Sequence, residues 1–130
     1  MFGDVGQGGG LAMAGIETKS FDTPDETRTP PNTRVEVVRL GAHTAARFTF
    51  QPGWRWSESI KPVAKTDSCQ ARHVGAIVSG RLHVVHTDGS EGDAGPGDAY
   101  VIEPGHDAWV VGDEPVVAFE FESAETYAKG

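Results

Sequence analysis

The sequence predicts an all-β barrel or jelly roll, and three observations carry that expectation. From Arg34 onward, apolar residues alternate with polar ones over short runs, the period of a strand with two unlike faces. Glycine and proline, 17 and 8 of 130 residues, punctuate the second half at short intervals, as turns between many strands require. No long stretch combines helical periodicity with caps, and a barrel or jelly roll is how an all-β chain hides its edges.

The elements follow in order. Met1 to Gly15 is rich in glycine and nearly lacks large apolar residues, so it has little to bury against its ordering entropy. Residues 1–12 are expected to be dispensable. Phe21 to Thr33 is polar, and Pro24, Pro30 and Pro31 disfavour a helix, so residues 1–33 read as a flexible arm. The barrel domain is expected over 34–122, with a short tail at 123–130.

RVEVVRL sets Val35 and Val37 on one face and Val38 and Leu40 on the other. ARFTFQ sets Phe48 and Phe50 together, and Pro52-Gly53 ends that strand. Ser57 to Lys65 reads as loop. Cys69 to Val78 is the longest strand candidate, closed by Ser79-Gly80. Arg81 to His86 follows, and Asp88-Gly89 signals a hairpin turn. AYVIE, AWVV and VVAFEF complete the set, separated by the Gly95–Asp98, Pro104-Gly105 and Asp113–Pro115 turns.

One domain of ordinary size fits this length. A formal net charge of −8 disfavours nucleic-acid backbones as partners. No apolar run approaches a membrane span, and the N-terminus lacks the pattern of a secretory signal. The single cysteine, Cys69, has no intrachain disulfide partner, which points to a reducing, cytoplasmic setting.

The chemistry-bearing residues lie in two stretches, Thr66 to Val84 and Gly95 to Asp113. In the first, Asp67, Cys69, Ala71, His73 and Gly75 share one parity, so an extended strand turns them to one face. A carboxylate, a thiol and an imidazole then converge, a donor set suited to a borderline metal. The alternative is a buried structural cysteine beside a hydrogen-bonded core histidine.

Spacing within both stretches resembles the two signature motifs of the cupin superfamily. Anchored on Gly80, the first motif puts Asp67 and Cys69 where that family usually has two histidines, and His73 where it has glutamate. Anchored on Gly97, the second puts Gly105 at the motif glycine and Ala108 at the usual metal-binding histidine. His106 lies nearby in the turn and is the candidate replacement. Asp107 either orients His106 or bonds the turn amides. The resemblance covers about Arg34 to Phe121 and implies a cupin-type double-stranded β-helix, the jelly-roll barrel of small single-domain bacterial cupins. It also implies a divalent metal, Zn, Fe, Ni or Mn, with Cys69, His73 and His106 as ligands and Asp67 in reserve.

Trp54 and Trp56 share a parity and either wall a pocket at the barrel mouth or cover an edge. Tyr100 and Ile102 share another and are candidate pocket residues. His83 should face outward, His86 lies at a strand end, and neither is an expected ligand. Trp109 is expected to pack between layers or against another subunit. No nucleophile, base and orienter can be aligned from sequence, so hydrolysis has no support.

Three readings of function stand. The first is a binding or sensing module that holds a small molecule in the barrel, with or without a metal. The second is a metal-dependent enzyme of dioxygenase or isomerase type, whose catalytic residues the sequence does not identify. The third is a structural or regulatory oligomer partner. Edge strands make a homodimer the expected assembly.

Overall fold

A computed structural model describes residues 15–121. The calls on residues 1–12 and on the tail at 123–130 lie outside these described residues. Among the described residues, nine strands form two sheets: β1 (Glu26–Arg28), β2 (Thr33–Leu40), β3 (His43–Phe50), β4 (His73–Ser79), β5 (Leu82–His86), β6 (Glu91–Ala94), β7 (Ala99–Ile102), β8 (His106–Val110) and β9 (Val116–Phe121). The larger sheet runs β1-β2-β3-β9-β4-β7 and the smaller runs β6-β5-β8. Every paired neighbour is antiparallel.

The core lies between the sheets. Val35, Val37, Phe48, Ile77, Val116 and Ala118 face inward from the larger sheet; Leu82, Ala108 and Val110 meet them from the smaller one. The alternation read in β3 and β9 is what sends these side chains to one face. Val38, on the other parity of β2, is also buried. The outer face there is partly covered: Phe21 packs on Phe119 at 5.1 Å between ring centroids, and the Arg47 guanidinium lies 5.8 Å from the Phe21 ring.

Three expectations are corrected. Part of the supposed arm belongs to the fold, since residues 26–28 pair with β2 as β1 and Arg28 is buried. The stretch read as loop contains two single-turn helices, α1 (Trp56–Ser59) and α2 (Lys61–Ala64). They are too short for a periodicity to register, and Trp56, Ser59 and Ile60 anchor them in the core. The strand expected from Cys69 begins at His73; Cys69 instead makes an isolated bridge to His106.

Gly80 explains why the turn after β4 takes glycine. Its φ is +78°, and a Cβ there would lie 2.3 Å from the Pro115 carbonyl oxygen.

Candidate functional site

The bridge between Cys69 and His106 builds the site. The Cys69 N–H donates to the His106 carbonyl at 2.8 Å, and the Gly105 N–H donates to the Cys69 carbonyl at 2.6 Å. This ties the segment before β4 to the start of β8. His73, the first residue of β4, is buried beside them. Cys69 Sγ and one ring nitrogen each of His73 and His106 lie within 4.8 Å of one another, and all three residues are buried. The structure thus brings together the three residues singled out as ligands.

The ring nitrogens are not equivalent. His106 Nδ1 lies 2.8 Å from the Glu103 carbonyl oxygen, which can only accept, so Nδ1 carries the hydrogen. His73 Nδ1 lies 2.6 Å from Glu120 Oε1, so it too is the donor, to a carboxylate. Both rings therefore keep Nε2 for the interior. His73 Nε2 is 3.5 Å from Cys69 Sγ, and the two imidazoles meet edge-on with centroids 5.1 Å apart.

Charge follows the geometry. Burial pushes the Cys69 thiol up, but the His106 and His73 hydrogen bonds and charges outweigh it and bring the thiol down to about 6. Burial pushes His73 down, but the Glu120 charge and the bonds to Cys69 and Glu120 hold it above the usual imidazole range.

Glu120 was not foreseen. It stands on β9 with 4% of its surface exposed, accepts from His73 through Oε1 and from the Tyr100 hydroxyl through Oε2 at 2.5 Å. Gly75 makes its room: a Cβ at Gly75 would lie 2.8 Å from Glu120 Cγ and 2.2 Å from the Phe119 carbonyl oxygen. The available signal was Glu120 sharing the parity of Val116 and Ala118 in VVAFEF, a carboxylate in an inward row.

Other candidates are placed as follows. Asp67, the reserve ligand, is fully exposed and lies 3.8 Å from the Lys61 ammonium, because the chain before β4 is not the extended strand that parity assumed. Asp107 does not hold His106. It accepts the Ser57 and Ala108 N–H groups at 3.1 and 2.9 Å and pairs with Arg55. Trp109 stacks under the Arg55 guanidinium, 4.1 Å from its ring centroid. His83 and His86 are not in the interior cluster; His83 is held between Asp93 and Glu91.

Trp54 and Trp56 are core residues, not the walls of an open mouth. Both are buried, and Trp54 stacks on Phe50 at 4.1 Å. They line a small interior cavity of about 20 Å³ together with His73, His106, Ala108 and Ile102. A cleft of about 380 Å³ opens between β5–β6 and β7, bordered by Val84, His86, Tyr100, Val101 and Ile102. Tyr100 and Ile102 thus each border a cavity, Ile102 both of them.

Cys69, His73 and Glu120 also stand in the order thiol, base and carboxylate, an alignment the sequence did not reveal. The cavity beside His73 is about 20 Å³, the size of one water.

Comparison with solved structures names the fold. The architecture is similar to a protein of unknown function from Rhizobium leguminosarum bv. viciae, with TM-score 0.60, 20% identity, and 82% of this chain and 94% of that one covered. It is similar to the oxalate decarboxylase of Lactobacillus farciminis, with TM-score 0.54 and 19% identity, over 78% of this chain and 32% of that one. KdgF from Halomonas sp. gives TM-score 0.53 and 19% identity, over 74% and 85%. The fold is the double-stranded β-helix, a jelly-roll barrel. No family model and no curated protein matches the sequence. Among the described residues, no helix is long and apolar enough to cross a membrane.

Proposed function

We propose that this chain is a metal-binding cupin that holds a small molecule in its barrel. One observation carries the reading: a buried thiol and two imidazoles converge, and each imidazole is held through Nδ1 with Nε2 left to the interior. Ring nitrogens anchored this way, one by a carboxylate and one by a carbonyl, are the usual support of metal-ligating histidines. Three protein ligands leave a further position for water or a ligand. A thiolate with two imidazoles suits zinc, iron or nickel better than manganese, which prefers oxygen donors. Ala108 stands where the family usually has its histidine, so that position borders the small cavity instead of being filled.

Elemental analysis of protein purified without chelators tests the reading. About one zinc, iron or nickel per chain is expected; no uptake of any of them at neutral pH overturns it. Native mass spectrometry of the same sample looks for a retained organic molecule. The metal-dependent enzyme reading, of dioxygenase or isomerase type, rests on the same cluster and stands or falls with that metal.

We also propose a homodimer. Exposed Val101 and Phe121 flank half-buried Val74 at matched register across β7, β4 and β9, an apolar row on the outer face. Two-fold pairing covers such a row twice with one contact. Light scattering should give twice the chain mass at micromolar concentration; a monomer mass rejects the dimer.

A further inference from the structure

We propose that Tyr100 is a positioning residue of the candidate metal centre: from the wall of the cleft its hydroxyl fixes Glu120, and Glu120 in turn fixes the His73 imidazole. The proposal rests on the metal reading and adds a residue to it. Its basis is one cross-strand row. Gly75 on β4 stands opposite Tyr100 of β7 on one side and opposite Glu120 of β9 on the other. Tyr100 and Glu120 are thus two strand spacings apart, about 10 Å, and neither side chain spans that gap alone. They meet across the glycine, where the Tyr100 hydroxyl donates to Glu120 Oε2 at 2.5 Å. A side chain at position 75 would stand in the way, since even a Cβ there would lie 2.8 Å from Glu120 Cγ.

From Glu120 the bonds continue inward. Oε1 accepts from His73 Nδ1 at 2.6 Å, and His73 Nε2 faces Cys69 Sγ at 3.5 Å. The two ends of this chain border different spaces. Tyr100 lines the 380 Å³ cleft and not the small cavity; Glu120 lines the small cavity and not the cleft. Tyr100 is therefore the layer between the cleft and a carboxylate that is only 4% exposed.

A carboxylate held through one oxygen can still turn, because its terminal torsion is broad. A donor on the second oxygen removes that freedom, and bonds to a charged acceptor are the stronger kind. Glu120 fixed at both oxygens sets the plane of the His73 ring and keeps Nε2 inward, the support a ligating histidine needs. A tyrosine that merely filled the cleft wall would act through its ring. The geometry gives the hydroxyl the larger part.

Two variants of the full-length protein separate these roles. Tyr100→Phe keeps the ring and removes the hydroxyl; Tyr100→Leu removes both. Zinc affinity, measured by competition with a chromophoric chelator, should fall about tenfold in Tyr100→Phe, the lower end of the range for partners behind a ligating histidine. Tyr100→Leu should add little to that loss. The second readout needs no metal. In metal-free protein labelled with ¹⁵N-histidine, the His73 Nδ1–H resonance should be sharp in the wild type and broadened by exchange with water in Tyr100→Phe. An unchanged zinc affinity or an unchanged resonance in Tyr100→Phe overturns the proposal, and a loss confined to Tyr100→Leu would assign the effect to packing. If the wild type takes up no zinc, the metal reading fails by itself, and the resonance alone decides whether Tyr100 holds His73.

Discussion

Two histidines of this protein each touch carboxylates, and they are prepared for different work. His83, on the outer face of the smaller sheet, has Asp93 at Nδ1 and Glu91 at Nε2. Both nitrogens are used, and the acidic pair holds the ring above the usual imidazole range. His73 has Glu120 at Nδ1 only, while Nε2 faces Cys69. The difference is one nitrogen. Both rings are held above the usual imidazole range, but a carboxylate on one side only leaves Nε2 facing the thiol, where a metal can displace its proton, whereas carboxylates on both sides engage both nitrogens in a surface ion pair. Sequence shows a histidine in or beside a strand in both cases, and only the cross-strand partner separates them.

The largest expected effect tests that distinction directly. His73→Ala should abolish zinc uptake in equilibrium dialysis, because it removes a ligand and leaves Glu120 buried with one bond fewer. Retained uptake would put the site elsewhere.

Next comes the thiol. In metal-free protein the ultraviolet thiolate absorbance should rise with a midpoint near 6, not near the ordinary 9.0. A depressed thiol contributes stability that is present above 9 and lost as pH falls through about 6, so metal-free protein should weaken on acidification across that window. Zinc affinity should fall with it, since the metal needs the thiolate. A midpoint near 9 would mean that the imidazoles do not reach Cys69 in solution.

Glu120→Gln should lower zinc affinity by about 10- to 100-fold, the usual cost of losing a carboxylate behind a ligating histidine. The variant keeps shape and an acceptor, so unchanged affinity would reduce Glu120 to a packing role.

The smallest effect belongs to the other histidine. His83→Ala should leave zinc uptake unchanged and shift stability by about 1 kcal/mol or less, as expected for an exposed pair. A loss of uptake would erase the contrast.

How far the sequence reaches follows the same division between local and cross-strand information. Strand periodicity and turn residues sufficed for the jelly roll, because alternation in RVEVVRL, ARFTFQ and VVAFEF is written residue by residue. Spacing also picked out Cys69, His73 and His106, although the geometry assumed for them was wrong. Parity put Asp67 beside Cys69, yet the chain there is not strand and Asp67 faces solvent. Glu120 escaped because its role depends on Gly75 lying opposite it across β4 and β9, a register that no single strand records. The helices α1 and α2 escaped because one turn is shorter than the period needed to recognise it.

The backbone bridge from Cys69 to His106 has a kinetic meaning. It joins positions 37 residues apart, while Glu120 comes from 47 residues beyond His73. None of these groups can meet until long loops have closed, and such closures are slow steps of chain organisation. An ion bound by these side chains finds no equivalent in the unfolded chain, so it would retain only molecules that had completed assembly. Loss of the ion would then register as faster proteolysis between β3 and β4, where the segment carrying Cys69 is tied across the barrel by the bonds it shares with Gly105 and His106.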